Sequence, residues 1–122
     1  MATQRFLSFA RDTQSFNTFL RNPAPIVVDG QLATSVEQTY TIPSDYPFYA
    51  VIFGWEQGNN IYVNINNTAA VPSGSFSTGG SEVNPVGYWL IAGSVIHVIT
   101  DDTSVNMSMS LYPIPGTGNT NV

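Results

Sequence analysis

From residue 23 onward, apolar and polar residues alternate with a period of two, the pattern of strands that bury one face. The clearest segment spans residues 105–112, where Val, Met, Met and Leu alternate with Asn, Ser, Ser and Tyr. Residues 61–66 predict a second such strand, with Ile61, Val63 and Ile65 facing inward. Residues 48–55 form a nearly continuous apolar run, which is typical of a central strand covered on both faces.

Turn residues separate these segments. Asp29-Gly30 predicts a hairpin between a strand that begins at Pro25 and a strand that ends at Ile42. Residues 67–85 are weakly patterned, and we expect a short edge strand near Phe76. The body thus contains seven or eight short strands and no convincing helix. It predicts an all-β fold, an antiparallel β-sandwich of jelly-roll or immunoglobulin-like topology, with an N-terminal arm.

Residues 1–22 differ from the rest of the chain. The heptads FLSFARD (6–12) and FNTFLRN (16–22) repeat one pattern and hold four of the seven phenylalanines. Together with Arg5, this region also holds all three arginines of the chain. Pro23 and Pro25 follow as a stiff joint. We therefore predict an interaction arm over residues 1–22, a sandwich over 23–112 and a flexible tail over 113–122. The pattern leaves open whether the arm is helical or extended.

The charge content is unusual. Charged residues make up 9% of the 122 residues, against roughly 25% in an ordinary soluble domain, and 35 residues are Ser, Thr or Asn. Two interpretations fit: an extracellular type of β protein, or a subunit that packs against copies of itself or a partner, which we favour. The net charge is +2 in residues 1–22 and −7 in the remainder, so the acidic body argues against direct binding of nucleic acid.

Cysteine is absent, which excludes disulfides and thiolate metal sites. No apolar run approaches the roughly 18 residues of a membrane span, and the first residues lack a signal-peptide pattern. We therefore expect synthesis and folding in a cytoplasm, with no membrane partner.

Few residues suggest catalysis or metal binding. The single histidine, His97, lies in an apolar strand without a Gly-x-Ser-x-Gly frame, so a core or interface role is favoured over a catalytic one. Asp101 and Asp102 are adjacent, and a turn that caps backbone amides is favoured over a calcium loop. The glutamates at 37, 56 and 82 are isolated in sequence. We predict that the protein is not an enzyme and uses no cofactor or metal.

Two features leave binding alternatives open. Trp55, Tyr62, Tyr88 and Trp89 offer a sugar-stacking platform, although strand aromatics are more often core or interface residues. The arm either folds back on its own sandwich or docks on another chain. Phenylalanines that remained exposed would promote aggregation, and we favour the second arrangement.

Several segments of residues 60–114 carry a family resemblance. They are AAVPSGSF (69–76), SEVNP (81–85), AGSVI (92–96), TDDTS (100–104) and SMSLY (108–112). In this order they resemble small virion proteins of tailed bacteriophages, with Ser94 where the pattern often has an acidic residue. The resemblance implies a non-enzymatic structural role in capsid decoration, a head fibre, the neck or the tail. It also implies symmetric oligomers, commonly trimers, built of β-sandwiches.

We therefore predict a capsid decoration (cement) protein, located in a virion that is assembled in the host cytoplasm. Its predicted partners are the major capsid protein or other virion subunits, together with further copies of itself, a trimer being favoured. The alternative is a carbohydrate- or receptor-binding sandwich of a tail or head fibre. The predicted partner-binding residues are the apolar anchors Phe6, Phe9, Phe16 and Phe19 and the carboxylate-pairing Arg5, Arg11 and Arg21.

Overall fold

The computed structural model describes residues 9–11, 17–21 and 23–114, and the side chains of residues 23–114. This part of the chain is all-β and contains no helix, which confirms the predicted fold class. The strands are β1 (Phe9–Arg11), β2 (Asn17–Arg21), β3 (Ile26–Leu32), β4 (Gln38–Thr41), β5 (Phe48–Trp55), β6 (Tyr62–Ile65), β7 (Glu82–Val83), β8 (Gly87–Ile91), β9 (Val95–Ile99) and β10 (Val105–Ile114).

Eight of these strands form the two sheets of a sandwich. Sheet I has the order β3-β10-β5-β8, and sheet II has the order β4-β9-β6-β7. Every neighbouring pair is antiparallel. The chain changes sheet at each connection except that between β6 and β7, which gives the strand order of an eight-stranded jelly roll. The topology that the sequence left open is therefore the jelly roll.

The core lies between the two sheets and follows the predicted alternation, except that Tyr62 and Tyr112, which the pattern places on outward faces, are only 9% and 0% exposed. On β10, Val105, Met109 and Leu111 are buried, and on β6 Val63 is buried beside them. The central strand β5 contributes alternate residues to the same cluster, among them Val51. Burial of each such side chain stabilises the fold by roughly 1.5–3 kcal/mol, which explains why one face of each strand is apolar.

The predicted hairpin at Asp29-Gly30 is wrong. Both residues lie inside β3, where Asp29 pairs with Ser108 and Gly30 pairs with Met107 of β10. The chain turns later, beyond Leu32, where Ser35 has a positive φ of 58° and its amide donates to the carbonyl of Thr100. Pairing with the long strand β10 outweighs the local turn preference of the Asp-Gly pair.

The predicted edge strand near Phe76 is also misplaced. Phe76 lies in a loop and is fully exposed, while the short edge strand β7 forms at residues 82–83 and pairs with β6. Strands β8 and β9, on either side of Gly93, belong to different sheets. Gly93 has a φ of 86°, in the left-handed region that favours glycine at such a turn.

Strand β10 extends beyond the predicted end of the sandwich at residue 112. It includes Pro113 and Ile114, which pair with Tyr49 and Phe48 of β5. A proline has no amide N–H to donate, and at residue 113 that N–H would point toward β3. Because β3 begins only at Ile26, opposite Leu111, no β3 residue lies opposite Pro113 and no strand hydrogen bond is lost.

Candidate functional site

The predicted arm is only partly described. Of its seven predicted binding residues, Arg5, Phe6 and Phe16 lie outside the described residues. The other four lie in strands: Phe9 and Arg11 in β1, Phe19 and Arg21 in β2. These two strands pair antiparallel, with Phe9 opposite Arg21, so this part of the arm is extended rather than helical. The side chains of all seven residues lie outside the described part, and their binding role stays a prediction.

The outer face of sheet I carries an apolar patch at its β8 end. In β8, Leu90 faces the core, whereas Trp89 and Ile91 face outward and are 59% and 57% exposed. Phe48 of β5 pairs with Ile91, and its ring stacks on Trp89 at 4.3 Å between centroids. We call Phe48, Trp89 and Ile91 the β8 patch; Val86, just before β8, is also 79% exposed.

A close backbone contact fixes β8 against β5. A Cβ atom on Gly87 would lie 2.2 Å from the carbonyl oxygen of Val51 and 3.2 Å from the Cα of Ile52. These distances leave no room for a side chain, so glycine is required at the start of β8. The close approach positions the β8 patch on the sheet.

The four aromatic residues of the proposed sugar platform do not form one surface. Trp55 packs against the core and donates its Nε1–H to the carbonyl of Asn59. Tyr88 also packs on the core, and its hydroxyl binds Glu82. Tyr62 is 9% exposed in sheet II, so Trp89 alone of the four presents an exposed ring.

His97 takes part in a contact that holds the 66–81 loop. Its Nδ1 lies 3.0 Å from a carboxylate oxygen of Glu37, and the same oxygen accepts the amide of Ala69 at 2.7 Å. The hydrogen bond from Ala69 is the main cause that lowers the pKa of Glu37, against the opposing effect of burial, and His97 lowers it further. Ala69 is buried, so this arrangement closes the loop over sheet II.

Further hydrogen bonds fix both ends of the same loop. The side chain of Asn66 accepts the amide of Val95, and Ser81 accepts the amide of Ala70. The tip between them carries the fully exposed Phe76. A loop with a fixed base and an aromatic tip can present an apolar anchor to another protein.

Asp101 and Asp102 belong to a structural turn. Asp102 accepts the amide of Asn60 at 2.7 Å, and its own amide donates to the hydroxyl of Thr100. Asp101 forms a side-chain hydrogen bond with Tyr62. Residues 9–11, 17–21 and 23–114 contain no group of three or more His, Cys, Asp or Glu side chains arranged to hold a metal ion. The capping role that the sequence favoured for Asp102 is therefore observed.

Sequence reasoning missed two parts of this site. Glu37 has no charged or polar partner near it in the sequence, because its partners His97 and Ala69 are 60 and 32 positions away. The exposure of Val86 and Ile91 was also missed. A signal for it was present: Gly87 to Ile91 lacks the polar alternation that a solvent-facing strand shows.

No protein-family model, no curated protein and no solved structure matches this chain. The relation to phage virion proteins consequently stays a prediction from the quoted segments. Within the described ranges, no helix has the length and hydropathy needed to cross a membrane.

Proposed function

We propose that this chain is a non-enzymatic structural protein of a tailed-bacteriophage virion, a capsid decoration (cement) protein that binds and stabilises the shell. Its partners are the major capsid protein or other virion subunits and further copies of itself. It is assembled into the virion in the host cytoplasm. The fold supports this by analogy, because jelly rolls also form viral capsid domains.

The observation that carries the proposal is the surface of the sandwich. Residues 23–122 contain seven carboxylates and neither Lys nor Arg, while all three arginines precede them. The sandwich nevertheless exposes large apolar side chains, among them Phe76, Val86 and Trp89. A free monomer with so few charges and such apolar surface is prone to associate, whereas a subunit buries this surface against its neighbours.

In the proposed mechanism, the arm supplies apolar anchors and cations. Each phenylalanine ring that becomes fully buried in a neighbouring subunit contributes roughly 1.5–3 kcal/mol. The arginines pair with carboxylates of adjacent subunits through charge-assisted hydrogen bonds. Repetition over many shell sites gives the bound layer its strength, and binding to the closed shell alone shifts the equilibrium away from opened shells.

The test uses shells assembled from the major capsid protein encoded in the same genome but lacking this protein. We expect saturable binding with a fixed number of copies per shell, and a higher temperature of shell disruption. A variant with Phe6, Phe9, Phe16 and Phe19 replaced by Ser should lose binding while its circular dichroism spectrum is unchanged. A matched control replaces four polar residues of the same arm by Ala: Ser8, Thr13, Ser15 and Thr18.

Two results would contradict the proposal. The first is the absence of saturable binding to shells by the folded full-length chain. The second is equal binding by the phenylalanine variant and the polar control, because the arm would then contribute no anchors. Raising the salt concentration separates the arginine contribution, since exposed ion pairs are screened while apolar contacts are not.

A second candidate function is binding of a glycan or receptor, and one observation favours it. The ring of Trp89 is 59% exposed and is backed by Phe48, an arrangement on which a sugar ring can stack. In this case the chain should bind glycans saturably, Trp89→Ala should abolish that binding, and the arm variants should leave it unchanged.

A further inference from the structure

In the described part of the chain, the outer edge of strand β8 pairs with no other strand. On its inner side, the amide of Phe53 donates to Val86 and the amide of Ala92 donates to Pro47. Peptide groups of an antiparallel strand point alternately to its two sides, so Gly87, Trp89 and Ile91 direct theirs away from β5. On that side the carbonyl of Ile91 accepts the amide of Ser94 at 3.1 Å in the turn that follows. Among the described strands, none pairs with that outer edge of β8.

This edge lacks the charged residues and prolines that usually prevent an edge strand from pairing with another molecule. The five residues of β8 include no charge and no proline. Its outward side chains Trp89 and Ile91 are apolar and more than half exposed. The opposite outer strand of sheet I, β3, instead carries Asp29 and Gln31 on its exposed positions. An uncharged apolar edge is a template for pairing with another strand.

We propose that β8 pairs antiparallel with β8 of a second copy, about a twofold axis that passes beside Trp89. The two sheets I then become one eight-stranded sheet. This addition of a strand to an exposed edge is a recurring mode of protein recognition. A twofold interface places the same patch on both partners, and it therefore requires a patch that is complementary to itself.

The β8 patch meets this requirement. When Trp89 faces Trp89 of the second copy, its amide and carbonyl both point to that copy and can be exchanged as a hydrogen-bonded pair. Gly87 then lies opposite Ile91 of the other copy, so the residue without a side chain accommodates a bulky one. The outward rings of Trp89 come together on one face of the joined sheet.

Neighbouring groups are compatible with this contact. Val83 in the adjacent edge strand β7 is 52% exposed and lies at the same side of the sandwich. The carboxylate of Glu82 accepts the hydroxyl of Tyr88 and so has a partner within its own chain. A neutral, apolar surface favours a second copy over a cationic or anionic partner, because this edge has no charge with which such a partner could pair.

The contact is small, since each β8 has five residues. Interfaces at the low end of the specific range bury less than about 1,200 Å² and are transient. We therefore expect a dimer that dissociates in the micromolar range, on the order of 1–100 μM. The proposal differs from the trimer implied by the family resemblance. It does not depend on the function proposed above, because it requires neither the arm nor a shell.

The test measures the dissociation constant of the full-length chain by sedimentation over a range of concentrations. Trp89→Lys and Trp89→Glu each place two like charges against each other at the twofold axis. Each should raise the dissociation constant at least about tenfold. An equimolar mixture of the two variants should restore association, because a Lys then faces a Glu. The matched control is Val27→Lys, at a 57% exposed position of β3, which should leave the dimer unchanged.

Amide hydrogen exchange of the unsubstituted protein gives an independent measurement. The amides of Gly87, Trp89 and Ile91 should exchange more slowly as concentration rises, while those of β3 should not. The proposal is overturned by a wild-type monomer at all concentrations, by a dimer that persists in both Trp89 variants, or by a mixture of folded variants that stays monomeric. It is also overturned if Val27→Lys weakens the dimer as much as Trp89→Lys, or if exchange at the three β8 amides is independent of concentration.

Discussion

The carboxylate of Glu37 lies 3.0 Å from Nδ1 of His97 and joins two distant parts of the chain. Glu37 precedes β4, His97 lies on the neighbouring strand β9, and the same carboxylate accepts the amide of Ala69 in the 66–81 loop. The only histidine of the protein therefore helps to hold a loop on sheet II. This contact predicts how substitution of Glu37 and a change of pH affect the stability of the protein.

Glu37→Ala should destabilise the protein. It removes the acceptor of the buried Ala69 amide and the partner of His97, and a lost acceptor of this kind costs about 1–3 kcal/mol. The free energy of unfolding in urea measures the loss, and faster hydrogen exchange of the Ala69 amide locates it in the loop. Asp29→Ala, which removes an exposed carboxylate, is the control and should stay within about 0.5 kcal/mol. Equal stability of the two variants would contradict the structural role of Glu37.

Stability should fall in acid through Glu37. Its folded-state pKa lies below the ordinary value of 4.5, mainly because it accepts the Ala69 amide. A lowered pKa contributes stability that is present above pH 4.5 and is lost as the pH falls through the folded-state pKa. Glu37→Gln keeps an acceptor oxygen but cannot ionise, so its free energy of unfolding should depend less on pH. Urea titrations from neutral pH down to about pH 3 test this, and parallel curves would refute it.

Stability should also fall in alkali through buried tyrosines. Burial is the main cause that raises the pKa of Tyr49 and of Tyr62 above the ordinary value of 10.0. Because the folded state favours the neutral phenol, this contribution is intact below pH 10 and is lost as the pH rises through the folded-state pKa. Tyr49→Phe has no phenol to ionise at this position, so its free energy of unfolding should fall less above pH 10 than that of the wild type. A free energy of unfolding that falls equally above pH 10 in the wild type and in Tyr49→Phe would contradict the prediction.

Gly87→Ala should disrupt the pairing of β8 with β5. The added Cβ would meet the carbonyl oxygen of Val51 at 2.2 Å, and a backbone atom cannot move aside as a flexible side chain does. We expect a loss of at least about 2 kcal/mol in the free energy of unfolding. Gly30→Ala in β3 is the matched control, since no atom lies within 4 Å of its added Cβ. Unfolding of the two variants at the same urea concentration would contradict the close backbone contact at Gly87.

Phe76→Ser should separate binding from stability. The ring is fully exposed at the tip of the 66–81 loop, so its removal should change the free energy of unfolding by less than about 0.5 kcal/mol. If the loop contacts the shell, the dissociation constant for shells should rise about tenfold. Ser77→Ala in the same loop is the control. Shell binding that is unaffected by Phe76→Ser would exclude the loop tip from the interface.

The local pattern predicted most strands well, because a strand that buries one face must alternate apolar and polar residues. Residues 61–65 and 105–111 alternate in this way, and in the structure Val63 and Leu111 face the core as expected. The continuous apolar run at 48–55 is a strand paired on both edges. These predictions needed no knowledge of which strands are neighbours.

The candidate site was less predictable, because exposure depends on what lies across the sheet. Trp55 and Trp89 are both strand tryptophans, yet one packs against the core and the other faces outward. Their orientation follows from the register of β5 against β8 and β10, which no short stretch of sequence contains.

The sequence by itself determined the class of the fold, the positions of its main strands, the acidity of the body and the concentration of arginine in the first 22 residues. Only the tertiary structure decided that the sandwich is a jelly roll, that Asp29-Gly30 continues a strand, and that β8 is the last strand of its sheet, with no described strand on its outer edge. The physical reason is the range of the interactions involved. Alternation is set within a few residues, whereas strand order and free edges depend on hydrogen bonds between residues many positions apart.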